Sequence, residues 1–543
     1  MIQRFGVPET GLLAHRTVPA LLAPAQLLPG RQRDVEALLA WGRRPSARRV
    51  ERLGRRWQLP VWHLEDGLLR SLAKGRQHPP LALLVDDLGV HFDATQPSRM
   101  EQRIQQPLTP AQHNRARELQ QRWCAQRLSK LNPARESAAP AEPFVLVVDQ
   151  SAGDCSIGLG QAGPESFRRM LHEALRDQPD CLVVVKVHPD VIRGRARGHF
   201  RRQDLQHPRI RVCADGLHPA ALLEQAQAVY VVTSQMGFEA LLWGRIVHCF
   251  GMPFYAGWGL TLDRLPAPDR RGQMVPLEAL VYAALVAGTR CVDPHHHQPC
   301  SIETLMDAIG LQRRLQGADP QRVEAFGFTP WKQRSLKRFL AGSALRFRLP
   351  RALPGPRAEA VAVWGRRARP RLLATARQRA LPLLQVEDGF LRSVGLGADL
   401  IDPISWVVDR RGMYYDATET SDLEHRLATG DWSELQLQRA ETLRQQLVAQ
   451  AITKYNLSGG GWQRPKDARR VVLVVGQVES DASIRYGAPG HSSNLALLQA
   501  VRAAEPEAFL VYKPHPDVVA GLCRSGDGEQ RAAQVCDCLL RDG

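Results

Sequence analysis

The sequence repeats itself once, at a spacing near 325 residues, and that period constrains the fold more than any other feature. LEDGLLRSL at Leu64–Leu72 returns as VEDGFLRSV at Val386–Val394. VDDLGVHFDATQPSRMEQRI from Val85 returns as VDRRGMYYDATETSDLEHRL from Val408. SKLN at Ser129–Asn132 matches TKYN at Thr453–Asn456, and VLVVDQSAGDCSIGLG from Val145 matches VLVVGQVESDASIRYG from Val472. VVVKVHPDV at Val183–Val191 matches FLVYKPHPDV at Phe509–Val518. Solenoid repeats are roughly 20–50 residues long, so this unit is a whole two-domain module rather than one turn of an array.

Each copy alternates short apolar runs with helical stretches. Phe144–Val148, Leu182–Val187, Ala228–Val232 and Ile246–Phe250 read as buried parallel strands, and Glu165–Arg176 and Pro219–Gln227 as crossover helices. The expected class is α/β, with two Rossmann-like domains facing each other across a cleft in each module. Residues 1–143 form the first domain and 144–326 the second. Residues 327–356, with a Pro-rich end, read as a junction. The second copy then takes 357–470 and 471–543. The first copy runs on through VYVVTSQMGFEALLWGRIVHCFGMPFYAGWGLT at Val229–Thr261, whereas the second shows no such continuation after His515. The second module is therefore expected to be incomplete and inactive by itself.

Three blocks fall where open α/β sheets bind ligands, at the carboxyl ends of strands. DQSAGDCS places Asp154 in a loop after the first strand of the second domain, as QVESDAS places Asp481. A loop acid there serves as a nucleophile or base, although capping a helix is the commoner use of Asp. KVHPD carries Lys186, His188 and Pro189, and KPHPD carries His515 and Pro516. In both copies 34 residues separate the acid from the histidine. Such an imidazole donates to a phosphate or protonates a leaving group, with the lysine adding charge. In VVTSQMGFEAL, Thr233 and Ser234 open a helix suited to a phosphate, with Glu239 one turn on, within reach of a ribose hydroxyl. On the facing domain Glu65 and Asp66 supply a general acid or base, or else pair with Arg70. The VDD…DAT block reads as a β-hairpin.

Composition removes other classes. The formal charge is +17, which attracts polyanions of any kind, but no zinc-finger, RNP or helix-turn-helix pattern accompanies it, so no nucleic acid partner is expected. No apolar run of about 18 residues suggests a membrane helix. The N-terminus lacks a secretory pattern, and ten cysteines without framework spacing suit a reducing cytoplasm. His295–His297 with Cys291 and Cys300 do not have zinc spacing, so neither metal nor cofactor is expected.

The blocks EDGFLRSVGLG, YYDAT, TKYN, DASIRYG, KPHPD, TSQMGFEALLWG and GMPFYAGWGLT resemble the capsular polysaccharide β-Kdo transferases of the KpsC type, over nearly the whole chain. The resemblance implies tandem GT-B-like modules, the donor CMP-β-Kdo and retention of configuration. It implies a poly-β-Kdo linker built on a (lyso)phosphatidylglycerol-linked acceptor by a peripheral protein at the inner face of the cytoplasmic membrane, near the capsule synthesis and export complex. The two modules of such proteins make β-(2→4) and β-(2→7) linkages. By the same resemblance Asp154 and Asp481 match the nucleophile, and His188–Pro189 and His515–Pro516 match the CMP-facing motif. Thr233, Ser234 and Glu239 match the nucleotide loop, and Glu65 and Asp66 the acidic pair. A transferase of another CMP-linked acidic sugar and a degenerate assembly scaffold remain open at this level.

Overall fold

A computed structural model describes residues 3–540 except 76–77, 295, 397–400, 433, 458–461, 489 and 527–528. The chain divides into two compact units, Met1–Ala318 and Asp319–Gly543.

The first unit holds two sheets. The N-terminal sheet runs Gln26–Pro29, Arg4–Val7, Ala37–Trp41 and Val61–Asp66 in parallel, and then turns antiparallel through Ala82–Asp86, Thr289–Val292 and Pro299–Cys300. Its last two strands come from the far end of the unit. The chain builds the second domain and then returns to the first, so 289–300 do not belong with the donor-side domain as the sequence suggested.

The second sheet is parallel throughout. Its order is Ile210–Cys213, Leu182–Lys186, Phe144–Val148, Ala228–Val231, Ile246–Cys249 and Leu262–Asp263. Numbered along the chain this is 3-2-1-4-5-6, the doubly wound order, and its switch point lies between Phe144–Val148 and Ala228–Val231. Phe144–Val148 is buried at every residue because helices cover both faces, which is why it reads as an unbroken apolar run.

In the second unit a five-stranded sheet, Ala344–Arg348, Arg322–Phe326, Ala360–Trp364, Leu383–Asp388 and Trp406–Asp409, repeats the order and directions of the first five strands of the N-terminal sheet. Residues 327–356 are therefore not a junction. They carry the helix Pro330–Phe339 and the edge strand Ala344–Arg348, and the unit boundary falls at 318/319, eight residues before the expected one. The aromatic and aliphatic residues of this stretch (Phe328, Leu336, Leu340) are buried against the sheet, and that burial overrides the Gly and Pro signals. The other sheet pairs Val471–Val475, Phe509–Lys513 and Cys538–Leu539 in parallel. A counterpart of Ala228–Val231 is absent among the described residues. Leu473 and Val475 are accordingly 56% and 53% exposed, where the equivalent Leu146 and Val148 are 0% and 3%.

The VDD…DAT block is not a hairpin. Asp86 ends a strand and its carboxylate accepts from the backbone N–H groups of Leu88, Gly89 and Arg99 at 2.8–3.0 Å. Ser98 and Glu101 then close a reciprocal cap on Arg99–Ile104. Asp409, Ser421 and Glu424 build the same loop in the second unit. The repetition here preserves a loop scaffold, in which carboxylates satisfy backbone donors that no strand or helix can.

Candidate active site

A cleft of about 760 Å³ opens between the two sheets of the first unit. Glu65, Asp66, Asp154, Lys186, His188, Thr233, Ser234 and Glu239 all line it. The sequence thus selected residues that the fold gathers, from four strand ends about 175 positions apart in the chain. Their local roles divide them sharply.

Asp154 caps a helix and also faces the cleft. It is the N-cap of Cys155–Leu159, where Oδ1 accepts from Ser156 N–H at 3.0 Å, and it is exposed to the cleft. Oδ2 has no hydrogen bond to a described residue. Asp481 repeats the cap on Ala482–Gly487 through Ser483 N–H at 3.2 Å.

His188 is held through one nitrogen. Asp190 N–H donates to its Nδ1 at 3.1 Å, and Ser151 Oγ lies 3.0 Å from the same atom. Pro189 starts the short helix Pro189–Ile192 that positions this donor. An Nδ1 that accepts leaves the proton on Nε2. Burial, then Lys74, lowers the imidazole's pKa, so the neutral Nε2–H form prevails at neutral pH. His515 accepts from Asp517 N–H at 3.1 Å, and Pro516 opens Pro516–Val519, so the second unit repeats the device.

Lys186 is not the free cation expected. Its ammonium is buried and donates to Ser137 Oγ at 2.7 Å, Asp215 at 2.9 Å and Leu217 O at 3.2 Å. With Cys213 Sγ at 3.5 Å as a fourth contact, its three N–H donors are fully engaged and leave nothing for a phosphate. Lys130, in the SKLN block, is a cleft cation whose ammonium has no hydrogen bond or ion pair to a described residue. Its charge acts on Glu65, His91, His188 and Glu239 together. No motif singled it out; its recurrence as Lys454 was the available signal.

Thr233 and Glu239 are also engaged internally. Thr233 N–H donates to Gln150 Oε1 at 2.9 Å, Gln150 Nε2 donates to Thr233 Oγ1 at 3.0 Å, and Ser156 Oγ lies 3.1 Å from that hydroxyl. These bonds lock together the two loops at the switch point. Glu239, expected to face a ribose, is 1% exposed and accepts from Ser129 Oγ at 2.7 Å, Lys130 N–H at 3.1 Å and Gln235 Nε2 at 3.2 Å. Burial raises its pKa to about 7. With Gln235 Nε2 donating to Leu68 O at 2.7 Å, it straps the two domains of the unit together. Ser234, half-exposed at the cleft, accepts from Met236 N–H at 3.3 Å.

The Glu-Asp pair separates. Asp66 sits 2.9 Å from Arg70 Nε, the pairing weighed against chemistry. Glu65 has no such partner among the described residues, and burial raises its pKa to about 7 against the opposing pull of Lys130. Asp388 and Arg392 repeat the ion pair at 2.9 Å, and burial takes Glu387 to about 7 as well. Two adjacent carboxylates thus acquire different roles: one fixes a loop and one is left titratable near neutrality.

Among the described residues no three His, Cys, Asp or Glu side chains gather where they could hold a metal ion. Cys291 and Cys300 are partners across an antiparallel pair of strands, and His295 lies outside the described residues. No helix among the described residues is long and apolar enough to cross a membrane.

A cleft between two Rossmann-like domains, with titratable residues at its strand ends, defines the class: a GT-B-like protein. The family model for capsule polysaccharide biosynthesis proteins matches residues 36–128, 112–289, 359–459 and 437–535, and the chain belongs to that family. It is 36% identical over 567 residues to the capsule polysaccharide modification protein LipA of Neisseria meningitidis serogroup B, covering 98% of this chain and 80% of LipA. It is 34% identical over 292 residues to the lipopolysaccharide-processing protein LpsZ of Rhizobium meliloti, covering 51% of this chain and 64% of LpsZ. Among solved structures it resembles the beta Kdo 2,4 transferase of Thermosulfurimonas dismutans KpsC. There the identity is 34% and the TM-score 0.53, over 57% of this chain and 98% of that one. The KpsC-type likeness read from the repeated blocks therefore holds.

Proposed function

We propose that this protein is a retaining glycosyltransferase that moves β-Kdo from CMP-β-Kdo onto a lipid-linked Kdo acceptor during capsule polysaccharide assembly. The observation that carries the reading is the shared cleft, in which Asp154 and the Nε2–H of His188 come from neighbouring strand ends of one domain and Glu65 from the other. The likeness to a solved β-Kdo transferase supports the choice of sugar.

In this mechanism an Asp154 carboxylate oxygen attacks C2 of Kdo. The bond from C2 to the CMP phosphate oxygen breaks, and the electron pair leaves with CMP. His188 Nε2–H, Lys130 and Ser234 stabilise the departing phosphate, and Lys186 positions the strand end rather than touching the donor. An acceptor hydroxyl then attacks C2, Glu65 takes its proton, and the bond to Asp154 breaks to restore the carboxylate. No metal or cofactor enters this scheme. The lipid-linked acceptor places the protein peripherally at the cytoplasmic membrane face, beside the capsule export machinery. Asp481 and His515 reproduce part of the constellation.

The test uses the full chain with a Kdo-terminated glycolipid acceptor and either CMP-Kdo or CMP-sialic acid. Transfer from CMP-Kdo alone, lost in Asp154→Ala, with a wild-type adduct of Kdo mass on the peptide containing Asp154, is the expected result. Preference for CMP-sialic acid would change the sugar. Full activity in Asp154→Ala would end the double-displacement mechanism. Donor binding without turnover would favour a scaffold.

A further inference from the structure

The cleft also holds Arg44, a cation without a hydrogen-bond or ion-pair partner among the described residues, and the turn that presents it is built twice in the chain. Trp41–Arg44 reads Trp-Gly-Arg-Arg, and so does Trp364–Arg367. In both copies the glycine has a left-handed backbone, φ +51° at Gly42 and +49° at Gly365, and in both a Cβ there would crowd the adjacent glutamate. That Cβ would come 3.2 Å from Glu65 Oε2 in one copy and 3.0 Å from Glu387 Oε2 in the other. Only glycine turns the chain so closely over the carboxylate without strain.

The two arginines that follow have opposite fates. Arg43 is anchored, at 2.7 Å from Glu51 and 3.3 Å from Asp93. Its counterpart Arg366 is anchored by Asp416, the residue equivalent to Asp93. Arg44 and Arg367 are exposed, and neither guanidinium has a hydrogen bond or ion pair to a described residue. Arg44 lines the cleft from the N-cap of the thirteen-residue helix Pro45–Trp57. Its charge reaches Glu65 on its own domain and Cys155, the neighbour of Asp154, on the facing one.

We infer that Arg44 forms a carboxylate-binding subsite that grips the C1 carboxylate of the transferred sugar acid. The inference rests on the transferase reading above and names what selects its substrate class. C1 is bonded directly to the reacting carbon C2, so a group gripping that carboxylate belongs beside both the nucleophile and the base, where Arg44 stands. The phosphate already has His188, Lys130 and Ser234. A guanidinium binds a carboxylate through two parallel N–H···O bonds, which fixes orientation as well as charge, and a lysine cannot reproduce that fork. Holding the carboxylate in this way orients C2 towards Asp154.

The experiment compares the KM for CMP-Kdo with the inhibition constant of CMP, in wild type, Arg44→Ala and Arg44→Lys. Arg44→Ala raises the KM for CMP-Kdo about 10- to 100-fold, the loss expected for one charge-assisted contact, and leaves CMP inhibition unchanged. Arg44→Lys falls between, keeping charge without the fork. Unchanged KM in Arg44→Ala overturns the subsite. An equal rise in both constants also overturns it, by assigning Arg44 to the nucleotide. If wild type neither uses CMP-Kdo nor is inhibited by CMP, the transferase reading itself fails and the subsite falls with it.

Discussion

The backbone N–H of Asp190 donates to Nδ1 of His188 at 3.1 Å, and the same bond joins Asp517 to His515. The proline between histidine and aspartate sets the turn that makes this bond. An imidazole whose Nδ1 is occupied presents Nε2–H to the cleft as a fixed donor, with no proton uptake needed. The feature that the two copies of the motif repeat is thus a tautomer rather than a charge.

His188→Ala should lower kcat/KM for the CMP-linked donor by roughly 10²-fold to 10³-fold, the range for one preorganised donor to developing charge. His188→Gln, whose amide offers an N–H at a similar reach, should recover part of that loss. Because burial lowers the imidazole's pKa, the wild-type rate should show no descending limb through the histidine between pH 7 and 8. Steady-state kinetics on the three proteins across pH 6–8 check this.

Asp154 caps a helix as well as facing the cleft, and the two roles separate by substitution. Asparagine is as good an N-cap as aspartate but no nucleophile, whereas alanine is neither. Asp154→Asn should keep the wild-type melting temperature and lose transfer, and Asp154→Ala should lose transfer and about 1 kcal/mol of stability. Thermal unfolding read beside activity distinguishes them; a destabilised but active Asp154→Asn would contradict both assignments.

Lys186 and Lys130 should fail in different ways. Lys186→Met removes the buried end of an ion pair whose other end, Asp215, is exposed to solvent, together with a hydrogen bond to the buried Ser137, and should destabilise the first unit by about 1–2 kcal/mol. Lys130→Met removes an ammonium with no partner among the described residues and should leave the fold intact while raising the donor KM. Chemical denaturation and donor titration of both variants would show whether the cation serving the donor is Lys130.

Glu65 carries the pH dependence. Burial raises its pKa to about 7, so below that value it is protonated and cannot accept a proton from the acceptor. The transfer rate should therefore rise with pH through a midpoint near 7. Glu65→Gln should abolish both the limb and most of the activity, while Asp66→Asn, which loosens Arg70, should lower stability and keep the limb. A pH–rate profile that is flat from 6 to 8 in wild type would remove Glu65 as the base.

Much of the site was legible in the sequence because duplication filters residues. A position that survives when its neighbours are rewritten, as Asp154 and His188 do in Asp481 and His515, is tied to the fold or the chemistry. The filter does not say which. It marked Lys186 and Lys130 equally, yet one is spent on Asp215 and the other is open, because strand Ile210–Cys213 and the loop after it pack over Lys186 alone. The Trp-Gly-Arg-Arg block occurs twice, but its meaning depends on how closely Gly42 passes Glu65 of the neighbouring strand, where a Cβ would meet the carboxylate at 3.2 Å. The expected hairpin failed for a similar reason: Asp86 satisfies three backbone donors that periodicity does not reveal.

By itself the sequence determined the modular plan and the strand ends. Buried parallel strands must be apolar along their whole length, and the loops after them are where polar residues can collect. Tertiary structure alone decided which of those polar residues are neutralised and which are left to meet a ligand. That choice is set by distant groups packed within about 3 Å, as Ser129 is against Glu239, and burial then sets the proton affinity of what remains.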